Sequence, residues 1–197
     1  MTIVLASGSA ARSSLLAAAG VRFTVRPAAI DERAVEIPLI AGGASPADVA
    51  AALAEAKAGA VSRVADDALV IGADQTLDLD GARWTKPATT AEAREQLARL
   101  SGREHRLHSA VAVARAGRVT WLHAESASLT MRALSATTID GYLAEAGDTV
   151  LDSVGAYRIE GPGIRLFERI DGDYFAILGL PLLPLLAYLR GEGEIAW

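Results

Sequence analysis

The chain has 197 residues, enough to bury one sizeable core and too few for two large independent domains, so residues 1–197 are expected to form a single domain. Hydrophobic residues make up 51% and aromatic residues 5%, which describes a core filled by Ala, Leu and Val and excludes a disordered chain. A net charge of -5 without a Lys/Arg cluster excludes a surface that grips a nucleic-acid backbone, and the lack of cysteine excludes disulfides and thiolate metal sites.

The opening residues Met1-Thr2-Ile3-Val4-Leu5-Ala6-Ser7 carry no basic region, and their apolar run is too short for a signal peptide, so a cytoplasmic location is expected. Residues 2–6 read as a short buried strand and 10–19 as a helix capped by Ser9 and ended by Gly20. Residues 23–26 read as a second strand, followed by Asp31-Glu32 in a loop. Ser45-Pro46-Ala47-Asp48 starts a helix, with Lys57 near its end.

Residues 68–73 form a continuous apolar run, the pattern of a buried central strand, and Asp74 is expected at its exit. Residues 77–79 and 83–85 flank an Asp80-Gly81 turn as a hairpin. Thr89 and Glu92 open a helix that closes at Gly102. Residues 105–114 and 118–131 read as two long strands around Ala116-Gly117.

A helix is expected over 138–146, and strands over 157–160 and 164–170. After the turn Asp171-Gly172-Asp173, residues 174–189 lack charge. They are fewer than the roughly 20 residues of a spanning helix, and Gly179, Pro181 and Pro184 interrupt them, so a buried strand followed by a buried helix fits better than a membrane span. The sum is a mixed α/β chain, not an all-parallel βαβ repeat.

The chemistry-bearing segment nearest the N-terminus is Leu5-Ala6-Ser7-Gly8-Ser9-Ala10-Ala11-Arg12. Gly8 allows close backbone approach, the helix start favours an anion, and Ser7, Ser9 and Arg12 add donors. An ordinary helix cap also explains the turn taken alone, and neither a P-loop ending nor a dinucleotide glycine fingerprint is present. Asp74, with Asp31 and Glu32 as partners from elsewhere in the fold, is suited to Mg²⁺ or Mn²⁺; a solvated loop acid is the plainer alternative for any single Asp. Lys57 and Lys86 are the only lysines in the sequence and suit a point-charge role toward phosphate, though each also reads as a surface lysine. His105 and His108 lie an odd number of residues apart on a strand and give no metal constellation.

Together these segments closely resemble the Maf nucleoside triphosphate pyrophosphatases over almost the whole chain. The matching residues are Leu5-Ala6-Ser7-Gly8-Ser9 with Arg12, Asp31-Glu32, Lys57, Ile71-Gly72-Ala73-Asp74, Lys86-Pro87, Leu100-Ser101-Gly102 with His105, Gly155-Ala156-Tyr157, and Gly179-Leu180-Pro181-Leu182. The resemblance implies an elongated, two-lobed α/β fold with a mixed sheet and a central cleft, related to inosine triphosphatase, and frequently a homodimer. It implies metal-assisted hydrolysis of a nucleoside triphosphate, including non-standard or modified ones, to monophosphate and pyrophosphate. By motif, Asp74 is the catalytic carboxylate and Glu32 its metal partner, with Mg²⁺ or Mn²⁺ as cofactor. Ser7, Ser9, Arg12, Lys57 and Lys86 are the phosphate-binding set.

Three positions bear on the base. Gln75 and Glu160 are similar to the 7-methyl-GTP type, whereas Ala11 stands where that type has an aromatic residue, and Gly155-Ala156-Tyr157 is similar to the pyrimidine type. The alternatives are a dTTP/UTP-selective pyrophosphatase and a nucleotide-binding regulator of septum formation without turnover. The implied partner is a small-molecule triphosphate, with no nucleic acid and no membrane.

Overall fold

In a computed structural model of the chain, residues 2–65 and 67–196 are described; Met1, Asp66 and Trp197 lie outside the described residues. The elements in chain order are β1 (Ile3–Leu5), α1 (Ala10–Ala18), β2 (Phe23–Val25), α2 (Glu32–Ala41), α3 (Pro46–Ser62), β3 (Leu69–Leu79), β4 (Ala82–Trp84), α4 (Thr90–Leu100), β5 (Glu104–Arg115), β6 (Arg118–Met131), α5 (Ala136–Ala146), β7 (Phe167–Asp171), α6 (Tyr174–Ile177) and α7 (Leu182–Gly191). The fold is mixed α/β: hydrogen-bonded neighbours run β2-β1-β3-β5-β6-β7, with β4 beside β3. Strand β1 is parallel to both β2 and β3, whereas β4 and β7 pair antiparallel with β3 and β6. Among the described residues no helix is long and apolar enough to cross a membrane.

The described residues form two compact units. The first takes in the chain up to Gln75, His108–Ser126, and Asp173 onward. Alternation along β3 divides its core: Leu69, Ile71 and Ala73 join Leu5, Leu16, Val111, Val113, Leu180, Leu182 and Leu185 on one face. On the other face Ala50, Ala54 and Ala58 of α3 pack on Ala110, Ala112 and Ala114 of β5. An interface made of methyl groups lets helix and strand approach closely. The approach is tightest at Gly72, where a Cβ would stand 2.3 Å from the Ala54 carbonyl oxygen and 2.5 Å from the Ala58 nitrogen.

The second unit comprises Thr76–Leu107 and Ala127–Gly172. Its hairpin pairs Leu77 with Trp84 and Leu79 with Ala82, and the turn residues Asp80 and Gly81 both have positive φ, the type I′ geometry that suits strand twist. His105 is buried against the rings of Tyr157 and Phe167, and its Nε2 shares a 2.7 Å hydrogen bond with the Tyr157 hydroxyl. Burial pushes the imidazole down to about 4 and the phenol upward, so both are neutral at pH 7.

Five sequence expectations are corrected. Asp31-Glu32 is not a loop: Asp31 accepts from the Ala34 amide at 3.2 Å and caps α2, which Glu32 opens. Asp74 does not end a strand, because β3 runs on to Leu79. Residues 157–160 form no strand, since Gly155 and Ala156 have positive φ and bend the backbone into 3-10 turns. The expected strand at 164–170 begins only at Phe167, after the 3-10 turn Pro162–Leu166. Residues 174–177 form α6 rather than a strand, because Asp173 accepts from the Ala176 amide at 2.8 Å and caps a helical turn.

Gly72→Ala tests the close approach. The added methyl meets backbone atoms that cannot rotate away, so a loss of about 3 kcal/mol in urea-unfolding stability is expected. A change below about 0.5 kcal/mol would mean that the contact between α3 and β3 is not tight.

Candidate functional site

The alternation that buries β3 also aims its polar residues. Asp74 lies two positions beyond Gly72 and faces α3; Lys57 follows Ala54 by three positions and reaches it from the helix. The Lys57 ammonium stands 2.5 Å from Asp74 Oδ1 and 2.9 Å from Glu32 Oε1. Lys57 and Asp74 are 9% and 8% exposed, whereas the Glu32 side chain at the start of α2 is half exposed. A buried ion pair adds little stability over apolar packing, so its presence in a strand interior points to chemistry.

The turn before α1 is assembled around Arg12. Ser9 caps the helix through the Arg12 amide, and Ser7 Oγ accepts from the Ser9 amide at 3.3 Å and from Arg12 Nη1 at 3.0 Å. Arg12 Nη1 also donates to the Ala73 carbonyl at 2.8 Å, and Nε donates to the Gly179 carbonyl at 2.8 Å. Gly179, at φ +94°, adopts the left-handed backbone that offers this carbonyl, and a Cβ there would press on Nε at 3.4 Å. Burial pushes the guanidinium downward, while the charges of Asp74 and Glu32 pull it back up. Arg12 Nη2 makes no hydrogen bond to a described residue.

The next residue on β3 faces the opposite way. Gln75 Nε2 donates to Ser109 Oγ and to the carbonyls of Ala176 and Ile177. Sequence alone singled out Asp173 as a turn residue and Gly179-Leu180 as part of a matching segment, but not Ser109 or the carbonyls of Ala176 and Ile177. The available signal was a lone hydroxyl within the apolar run of β5, together with Asp173 as a helix cap.

Of the residues singled out from sequence, Ser7, Ser9, Arg12, Glu32, Lys57, Asp74 and Gln75 belong to the first unit, as does Ala11, half-buried in the first turn of α1. Lys86 and Glu160 belong to the second: Lys86 is exposed beyond β4, and Glu160 accepts from Arg158 Nε at 2.8 Å. Among the described residues no group of three or more His, Asp or Glu side chains could hold a metal. Asp74 and Glu32 nevertheless direct two carboxylates at one cationic atom. That donor set fits Mg²⁺, which is commonly held by one or two carboxylates and completed by water and substrate phosphate.

The family model described as Maf-like protein matches residues 2–192. The chain is 56% identical over 193 residues to a protein of Rhizobium meliloti (strain 1021) named 7-methyl-GTP pyrophosphatase, covering 98% of this chain and 97% of that one. A protein of the same name from Brucella abortus biovar 1 (strain 9-941) is 56% identical over 190 residues, 96% of each chain. A nucleoside triphosphate pyrophosphatase of Paramagnetospirillum magneticum (strain ATCC 700264 / AMB-1) is 52% identical over 192 residues, 98% of this chain and 99% of that one.

Lys57→Met leaves Asp74 buried without its cation and is expected to lower unfolding stability by about 3 kcal/mol. In an Asp74→Asn background the same change is expected to cost at least about 2 kcal/mol less, and Glu32→Gln alone under about 1 kcal/mol. Equal losses for Lys57→Met in both backgrounds would mean the two side chains are not coupled.

Proposed function

The chain belongs to the Maf-like protein family, and from that premise we propose that it is a nucleoside triphosphate pyrophosphatase, cleaving a triphosphate to the monophosphate and pyrophosphate. The observation that carries the reading is the buried Lys57–Asp74 pair in the same unit as the Arg12 turn: two cations and a carboxylate held by backbone geometry.

In this reading the triphosphate oxygens meet Arg12 Nη2, the third proton of Lys57 and the first-turn N–H groups of α1, which have no intrahelical partner. The family resemblance adds Lys86 to the phosphate-binding set. Lys57 fixes the position of the Asp74 carboxylate, and Asp74 orients a water and takes its proton as the oxygen bonds to phosphorus. The anhydride bond breaks, and its electron pair leaves with pyrophosphate. Arg12 and Lys57 offset the charge that builds on the phosphate oxygens, an effect that counts most where water is excluded. Mg²⁺ or Mn²⁺ would be held by Asp74 and Glu32 and would supply neutralisation of phosphate charge.

We extend the reading to 7-methyl-GTP as the preferred substrate. The names of the Rhizobium and Brucella relatives, and Gln75 and Glu160 at their positions, support it. A carboxylate such as Glu160 suits a cationic methylated purine. The biological role that goes with this chemistry is removal of modified triphosphates from the cytoplasmic pool before a polymerase uses them, by a chain acting as one catalytic domain.

Asp74→Asn keeps the size of the side chain and removes the base. The variant is expected to fold, bind nucleotide and lose about a thousandfold in kcat with Mg²⁺ or Mn²⁺ present, measured as pyrophosphate release. Near wild-type turnover by the folded variant would remove Asp74 from the catalytic role.

A further inference from the structure

Gln75 is anchored by its nitrogen, not by its carbonyl. Nε2 donates to Ser109 Oγ at 2.8 Å, the Ile177 carbonyl at 2.9 Å and the Ala176 carbonyl at 3.1 Å. Ser109 is 1% exposed and donates its own proton to the Ala176 carbonyl at 2.6 Å, which leaves its lone pairs for Gln75. Turning the amide over would aim Oε1 at two carbonyl oxygens, acceptor against acceptor. The network therefore admits one orientation, with Oε1 left as an acceptor that has no partner among the described residues. Gln75 itself is half-buried and directly follows Asp74 on β3, with its side chain on the opposite face of the strand.

We propose that Ser109 is a positioning residue for base selection: by tying Gln75 Nε2 to the Ala176–Ile177 carbonyls, it presents Gln75 Oε1 as a fixed hydrogen-bond acceptor. The inference rests on the pyrophosphatase reading above. A guanine-type edge carries two adjacent donors, N1–H and the N2 amino group, and matches such an acceptor. Uracil and thymine carry one N–H between two carbonyl oxygens, so a fixed acceptor meets a repelling neighbour on either side. A free glutamine could turn its amide to suit either base; a locked one cannot.

The test is steady-state pyrophosphate release from 7-methyl-GTP, GTP and UTP with Mg²⁺, comparing the wild type with Ser109→Ala, Ser109→Thr and Gln75→Met. Ser109→Ala is expected to raise KM for the two guanine-type nucleotides about tenfold with kcat within about twofold, to leave KM for UTP nearly unchanged, and to be rescued by Ser109→Thr, which keeps the hydroxyl. Gln75→Met removes the acceptor together with both N–H donors at similar length, and the same loss of selectivity is expected; it carries the test if Ser109→Ala does not fold. Unchanged selectivity in the folded variants, or losses equal for all three nucleotides or confined to kcat, would overturn the positioning role. A wild type that prefers UTP overturns the inference and leaves the pyrophosphatase reading standing. A wild type that turns over no nucleotide overturns both.

Discussion

The contact between α3 and β3 at Gly72 is the constraint on which the rest of the first unit depends. Only a residue without a side chain lets the strand pass 2.3 Å, measured from a hypothetical Cβ, from the Ala54 carbonyl. That approach, cushioned by alanines on both elements, lets a lysine on the helix meet an aspartate two residues further along the strand. Water is largely excluded there, so each charge needs the other, and the pair is held in one geometry before any substrate arrives. The abundance of alanine in the chain thus has a structural use: bulkier residues at Ala54 and Ala58 would lift α3 away and part Lys57 from Asp74.

Three consecutive residues of one strand then serve three purposes. The Ala73 carbonyl accepts from Arg12, Asp74 turns to α3 and its lysine, and Gln75 turns to the opposite face and the turn at 173–180. The same turn supplies the Gly179 carbonyl that holds Arg12 Nε. Arg12, Asp74 and Gln75 are in this way referred to a single backbone. Pleat geometry, and not loop flexibility, sets their directions, which is how a site keeps its groups in register for chemistry.

Much of this was legible in the sequence, for reasons specific to particular residues. Ser9, Ser45 and Thr89 announce helix starts because a side-chain oxygen must satisfy first-turn amides, and all three do so. Glu32 was read as a partner of Asp74 from the residues themselves, whereas Lys57 joined the same site only through the family resemblance. The continuity of β3 from Ala73 into the hairpin strand read at 77–79 was missed because Asp74, Gln75 and Thr76 interrupt the apolar run. Helix α2 was invisible for the opposite reason: Ile37 and Ile40 are exposed, Pro38 lies inside it, and its buried residue is Glu36, so no apolar stripe marks it. Aromatic and β-branched residues at 174–177 suggested a strand until the Asp173 cap decided otherwise. Ser109 could not be found by pattern, since its meaning depends on carbonyls 67 residues away in the chain.

The central claim, that this arrangement hydrolyses the anhydride between the α and β phosphates, is tested most directly by ³¹P NMR of the products formed from 7-methyl-GTP by the purified full chain with Mg²⁺. The expected spectrum contains nucleoside monophosphate and pyrophosphate in equal amounts. Nucleoside diphosphate with inorganic phosphate, or an unchanged triphosphate, would contradict it.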